Sequence, residues 1–77
     1  MAAALSRPTL RLGSKGAPVE QLQRDLASAG HSPKGVDGDF GPSTQQALRS
    51  FQAANGLSAD GIAGHDTYVA LSGAAPG

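Results

Sequence analysis

The residues able to do chemistry cluster in two short turns. Asp37-Gly38-Asp39-Phe40-Gly41 and Asp60-Gly61-Ile62-Ala63-Gly64 each place an Asp directly before a Gly. An Asp there bonds backbone N–H groups one or two residues on and fixes a turn. The same carboxylate could instead accept hydrogen bonds from the hydroxyls or amides of a ligand, and of the two readings the turn is favoured. Metal chemistry fits poorly. Asp37-x-Asp39 starts like a calcium loop, but Gly41 fills the third ligand position and Leu48 the twelfth. His31, His65 and Asp66 lack the spacing of a zinc helix motif, and the chain has no Cys. Neither a metal nor another cofactor is expected.

Catalysis fits no better. The acids are one Glu and five Asp, with two His, and no nucleophile elbow, phosphate loop or zinc-protease motif contains them. His65 and Asp66 are adjacent, so on a helix their side chains diverge instead of forming a relay. A chain of 77 residues also encloses little volume. The expectation is a non-catalytic module.

The elements that position these turns follow from an internal repeat. Residues 37–48 align with 60–71 at an offset of 23, with six of twelve positions identical. A degenerate copy, Gly13-x-x-Gly16-x-x-Val19-x-x-Leu22, precedes them in the same frame. Each copy reads as a Gly-containing turn that leads into a helix, with Gly at the cap and Pro18 or Pro42 early in the helix. Val19, Leu22, Leu26 and Ala29 form one apolar stripe, which predicts a first helix from about Pro18 to Ala29. Thr44, Ala47, Leu48 and Phe51 predict a second from about Pro42 to Ala54. Thr67, Ala70 and Leu71 predict a short third from about His65 to Leu71, with Tyr68 near its edge. Leu12, Val36, Phe40, Leu57 and Ile62 are expected to plug gaps from the loops, and Val36 and Ile62 to make the few extended contacts. The fold class is all-α, a compact three-helix bundle of three loop–helix repeats. Residues 1–9 read as a flexible N-terminal segment, 10–72 as the domain, and 73–77 as a tail or linker stub.

Charge and hydropathy narrow the partners. Six Lys+Arg balance six Asp+Glu, so the basic excess of a nucleic-acid binder is missing. No apolar run approaches the ~18 residues of a membrane span. Met1–Leu5 is too short for the apolar region of a signal peptide. A monomer is the default state. Trp is absent, and the aromatics are Phe40, Phe51 and Tyr68. Such poverty favours polar recognition over stacking on sugar rings. Phe51 reads as core, and Phe40 as a core plug ahead of a stacking surface.

From Leu10 to Leu71 the chain resembles the peptidoglycan-binding domains of the family 1 type. Three linked motifs carry the likeness. They are Leu10-x-x-Gly13-x-x-Gly16-x-x-Val19-x-x-Leu22-Gln23-x-x-Leu26, Asp37-Gly38-Asp39-Phe40-Gly41-x-x-Thr44-x-x-Ala47-Leu48-x-x-Phe51-Gln52, and Gly56-Leu57-x-x-Asp60-Gly61-Ile62-x-Gly64-x-x-Thr67. The resemblance implies non-catalytic binding of bacterial peptidoglycan, through its glycan strand or its stem peptide, on behalf of an attached or partner cell-wall hydrolase or transpeptidase. It implies a location at the cell wall, in the periplasm or outside the cell. The residues expected to contact ligand are Asp37, Asp39, Phe40, Gly41, Thr44, Arg49, Gln52, Asp60 and Tyr68. Arg24, Lys34, Arg49 and Gln52 are expected to be exposed polar groups. The loop His31-Ser32-Pro33-Lys34-Gly35 departs from the family pattern, where an aromatic commonly precedes the Asp-Gly pair. That departure supports an alternative, a protein-interaction or structural domain that keeps the fold without glycan binding.

Overall fold

A computed structural model describes residues 7–74. Three helices follow in order: α1 (Ala17–Ser28), α2 (Pro42–Ala54) and α3 (His65–Ala74). Gly16 and Gly41 stand at the N-caps of α1 and α2, and each helix has Pro in its first turn, where the missing N–H costs nothing. α1 ends one residue before the expected limit, with Ala29 as its cap. α3 continues past the expected Leu71 to Ala74, so residues 73 and 74 belong to the helix and not to a tail. A helical Gly weakens a helix by about 1 kcal/mol without forbidding it. The rest of the anticipated tail, and residues 1–6 of the anticipated flexible segment, lie outside the described residues.

The apolar stripes meet in one core. Val19, Leu22, Leu26 and Leu48 are fully buried, with Phe40, Phe51, Tyr68, Leu71 and Leu10 closing around them. Each fully buried side chain of this size contributes about 1.5–3 kcal/mol.

The three loops before the helices clamp one another through short extended contacts. Leu10 pairs with Ala63, and Lys15 with Asp39. Around the second pair, Gly13 N–H donates to Phe40 O (2.9 Å), Phe40 N–H to Ser14 O (2.9 Å) and Gly16 N–H to Gly38 O (2.8 Å). These contacts fall on Leu10, Lys15, Asp39 and Ala63, and not on Val36 and Ile62. The pairing sends Phe40 and Ala63 into the core. Leu12 and Val36, expected as plugs, are exposed. Leu12 sits on the turn closed by Ser14 N–H to Arg11 O (2.9 Å), which aims it at solvent. Leu57 and Ile62 are half-buried.

Residues 7–9, expected in the flexible segment, are part of the fold. The Arg7 guanidinium pairs with Asp25 at 2.8 Å and lies 4.2 Å from the Tyr68 ring centre. The Tyr68 hydroxyl donates to Pro8 O at 2.6 Å. This strap covers Tyr68, so it is buried and not at the edge of α3.

Candidate functional site

Two buried amides build the surface on which the turns stand. Gln23 projects from α1 into the loop 29–41. Its Nε2 donates toward Asp37 Oδ1 (3.0 Å), Thr44 Oγ1 (3.0 Å) and Asp39 O (3.2 Å). Two hydrogens serve three acceptors, so one hydrogen is shared. Its Oε1 accepts from the backbone N–H of Asp37 and of Gly38, both at 3.0 Å. Gln52 repeats the arrangement from α2. Its Nε2 donates toward Ile62 O (2.9 Å), Asp60 Oδ1 (3.1 Å) and Thr67 Oγ1 (3.1 Å), and its Oε1 accepts from Gly61 N–H (3.0 Å). Both Gln and both Thr are buried, and their polar atoms find partners there.

The two readings of each Asp divide between its two oxygens. Asp37 Oδ1 accepts from Asp39 N–H (2.9 Å) and Asp60 Oδ1 from Ile62 N–H (3.0 Å), two residues on in each case. These bonds, with those from the amides, fix the turns. Oδ2 of each Asp has no hydrogen-bond partner among the described residues, and both residues are exposed. Each carboxylate is therefore held rigid by one oxygen and offers the other to solvent. The Gln23 amide, followed by the Asp39 N–H, holds the Asp37 carboxyl below its ordinary value of 3.8 by favouring the charged form.

Asp37 and Asp60 each line a cleft. Asp37, Asp39, Gly41 and Thr44 line one of about 300 Å³, together with Gln23, Lys34, Gly35, Pro42 and Ser43. It adjoins a second hollow of about 340 Å³ between the loop and α2, which shares Lys34 and Ser43 and adds His31, Ser32, Pro33, Gln46 and Ser50. The His31 ring stands edge-on to Phe51 at 5.8 Å, which anchors that wall. A separate cleft of about 260 Å³ repeats the first at Gln52, Asp60, Ile62, Gly64 and Thr67.

Asp37, Asp39, Gly41 and Thr44 thus come together, while Asp60 stands in the repeated cleft. Phe40 fills the core, as its favoured reading had it, while Tyr68, Gln52 and Arg49 are placed differently from the expected contacts. Phe40 and Tyr68 are each 1% exposed, so neither ring is presented for stacking. Gln52 is also 1% exposed; it holds a turn and is not the exposed polar partner expected. Thr44 accepts the Gln23 amide at the helix–loop joint and is buried within the cleft wall, where packing and not ligand contact is its first part. Arg49 is exposed but lines none of these clefts; its Nε lies across the face of Gly61. Arg24 is exposed and 3.7 Å from Glu20. Sequence reasoning missed the structural part played by Gln23. Leu22-Gln23 and Phe51-Gln52 each set a Gln directly after a core residue and ahead of an Asp-Gly turn, 14 and 8 residues on, which is the nearest the sequence comes to a signal. Among the described residues no group of three or more metal-ligating side chains gathers.

The model of the peptidoglycan binding domain family matches residues 15–71. A zinc D-Ala-D-Ala carboxypeptidase of Streptomyces albus G is 48% identical over 64 residues, which cover 78% of this chain and 24% of the carboxypeptidase. The crystal structure of a Burkholderia AP3 phage endolysin superimposes with a TM-score of 0.81 at 49% identity, over 84% of this chain and 25% of that one. The SleB N-terminal domain gives a TM-score of 0.85 at 40% identity, over 90% of this chain and 94% of that one. The chain spans about a quarter of the carboxypeptidase and less than a fifth of two N-acetylmuramoyl-L-alanine amidases of Bacillus licheniformis that it also matches.

Proposed function

This chain belongs to the peptidoglycan binding domain family, a non-catalytic binding module, and we propose that it reads the polymer through the cleft at Asp37 and the hollow beside it. The observation that carries this reading is the Asp37 carboxylate at the cleft, locked by Gln23 and the Asp39 N–H through Oδ1, with Oδ2 left without a partner among the described residues. A fixed acceptor loses little freedom on binding, so its hydrogen bond to a sugar hydroxyl or a peptide N–H is gained at low entropic cost. Asp39 and Lys34 add polar groups at the rim, and His31 walls the adjoining hollow.

The cleft is open and polar, so a single contact is weak. Attachment to a catalytic domain turns weak binding into retention, because the enzyme stays near a dense substrate. The spore cortex-lytic enzyme of Bacillus cereus, 42% identical over 68 residues, is a relative of which this chain matches only 26%. By the same logic this domain serves a cell-wall enzyme as its targeting part, acts at the wall, in the periplasm or outside the cell, and works as a monomer.

Co-sedimentation with purified sacculi tests the reading, with chitin and cellulose as controls. The expected result is selective pelleting with sacculi, weakened by Asp37→Asn. Asn keeps an oxygen for the turn but replaces the free acceptor with a donor. Failure of the native chain to pellet at high concentration removes the binding reading and leaves the protein-interaction alternative.

A further inference from the structure

We propose that the cleft at Asp60 is a second binding site for the same polymer, so that one domain grips two positions along it. The inference rests on the function proposed above. Three observations carry it. The cleft has nearly the volume of the first, about 260 against 300 Å³. Its wall is the first wall repeated, with Gln52, Asp60, Gly64 and Thr67 standing where Gln23, Asp37, Gly41 and Thr44 stand. Its carboxylate is presented in the same way, with Oδ1 bound to Gln52 Nε2 and Ile62 N–H, and Oδ2 without a partner among the described residues.

The turn uses only one oxygen of Asp60, so the other remains available as an acceptor. The ligand class is a chain of repeating units rich in hydrogen-bond donors, either hydroxyls or amide N–H groups. A repeating polymer offers the same donors at intervals, and the described fold is at most 26 Å across. Both clefts therefore lie within 26 Å of each other, a short span against a polymer, and on this proposal they meet one strand or two neighbouring strands. Two weak contacts on a rigid body multiply, which raises retention without any deep pocket. The rims differ. Each cleft has a second carboxylate, Asp39 or Asp66, but the cationic Lys34 borders the first and His65 the second. The second site thus favours donors of more cationic character.

The test titrates the isotopically labelled chain with a disaccharide-peptide released from peptidoglycan by a muramidase, followed by backbone amide shifts. Sedimentation of the same chain with intact sacculi runs in parallel. The expected result is two groups of shifted amides, around 37–44 and around 60–67. Asp60→Asn abolishes the second group, leaves the first, and weakens sacculus binding about three- to tenfold, as loss of one charge-assisted hydrogen bond would. An amide spectrum that is otherwise native establishes that this variant folds. Should it not fold, Asp66→Lys on the exposed rim replaces it, with the same expected loss. Shifts confined to the first cleft in a chain that still sediments overturn the second site alone, and shifts at neither cleft overturn both cleft assignments. A native chain that fails to sediment overturns the proposed function, and the second site with it.

Discussion

Gln23 and Gln52 solve one problem twice, but the loops they hold are not equals. The first loop, 29–41, is gripped from both sides. Gln23 takes hold of it with four hydrogen bonds and reaches Thr44 at the start of α2 with a fifth, and the backbone of Gly13, Ser14 and Gly16 takes hold of Gly38 and Phe40. The second loop, 55–64, has three bonds from Gln52, whose fourth reaches Thr67 in α3, and the single pairing of Ala63 with Leu10. The difference teaches what the amide is for. A helical protein this small has no sheet to satisfy its loop backbone, and a buried N–H or C=O left alone is costly. A Gln side chain carries the donor and acceptor of a peptide group on a flexible stem, so it stands in for a missing strand. The neighbours also differ in charge. Glu20 covers Gly38, whereas Gln45 and Arg49 cover Gly61.

Replacing each Gln by Met strains the comparison most. Met keeps the volume but orphans the buried N–H groups and the Thr hydroxyl. Gln23→Met should cost about 3 kcal/mol and Gln52→Met about 2, since each unmet buried group costs about 1–3. Thermal unfolding reads this as a loss of about 15 °C and about 10 °C for a domain of this size. A larger loss at Gln52 would mean that hydrogen-bond number does not rank the two loops.

Ala at the turn glycines sharpens the contrast. Gly38 and Gly61 have φ of 72° and 73°, where a Cβ costs about 1–2 kcal/mol. At Gly38 the new methyl also meets the Gly16 carbonyl at 3.3 Å, which is backbone and cannot swing away. At Gly61 it meets the Gln45 and Arg49 side chains, which can. Denaturant midpoints should therefore fall further for Gly38→Ala, by about 2 kcal/mol against about 1.

Thr44→Val and Thr67→Val should cost about 1 kcal/mol each, because each removes one acceptor from an amide that keeps others. Equal losses in a melt support two copies of one network, and unequal losses break the likeness at the helix starts.

The smallest effect is one of pH. The Asp37 carboxyl lies below its ordinary 3.8, so its charged form is favoured by folding. The resulting stability is fully present above that value and is lost as pH falls through the folded one. Unfolding midpoints measured from pH 5 downward should fall less steeply for Asp37→Asn than for the native chain. Identical slopes would leave the Gln23–Asp37 bond without energetic weight.

Much of this was legible in the residues. The helix stripes around Leu22, Leu48 and Leu71 name the core because helical spacing and burial are the same fact seen twice. The Asp-Gly repeat located both turns. What stayed hidden depended on contacts far apart in the chain. Nothing local tells that Gln52 faces inward, since a Gln on a helix is ordinarily solvated. Tyr68 is covered by a strap from residues 7 and 8, which no pattern near α3 reveals. The split of each carboxylate into a structural and a free oxygen is a matter of rotamer, and sequence supplies only the residue type.

The strap has a consequence for how the chain assembles. Two similar loop–helix units in series look like the start of a solenoid, in which units stack, each touches only its neighbours, and more can be added. Here the bond from Tyr68 to Pro8 and the pairing of Leu10 with Ala63 join the first segment to the last. The series is a closed ring. Arg7 meets Asp25 in α1, but Pro8 and Leu10 find their partners only near the far end, so closing the ring waits on contacts of long sequence separation, which slow folding. A ring of this kind admits no extra unit and tolerates no missing one.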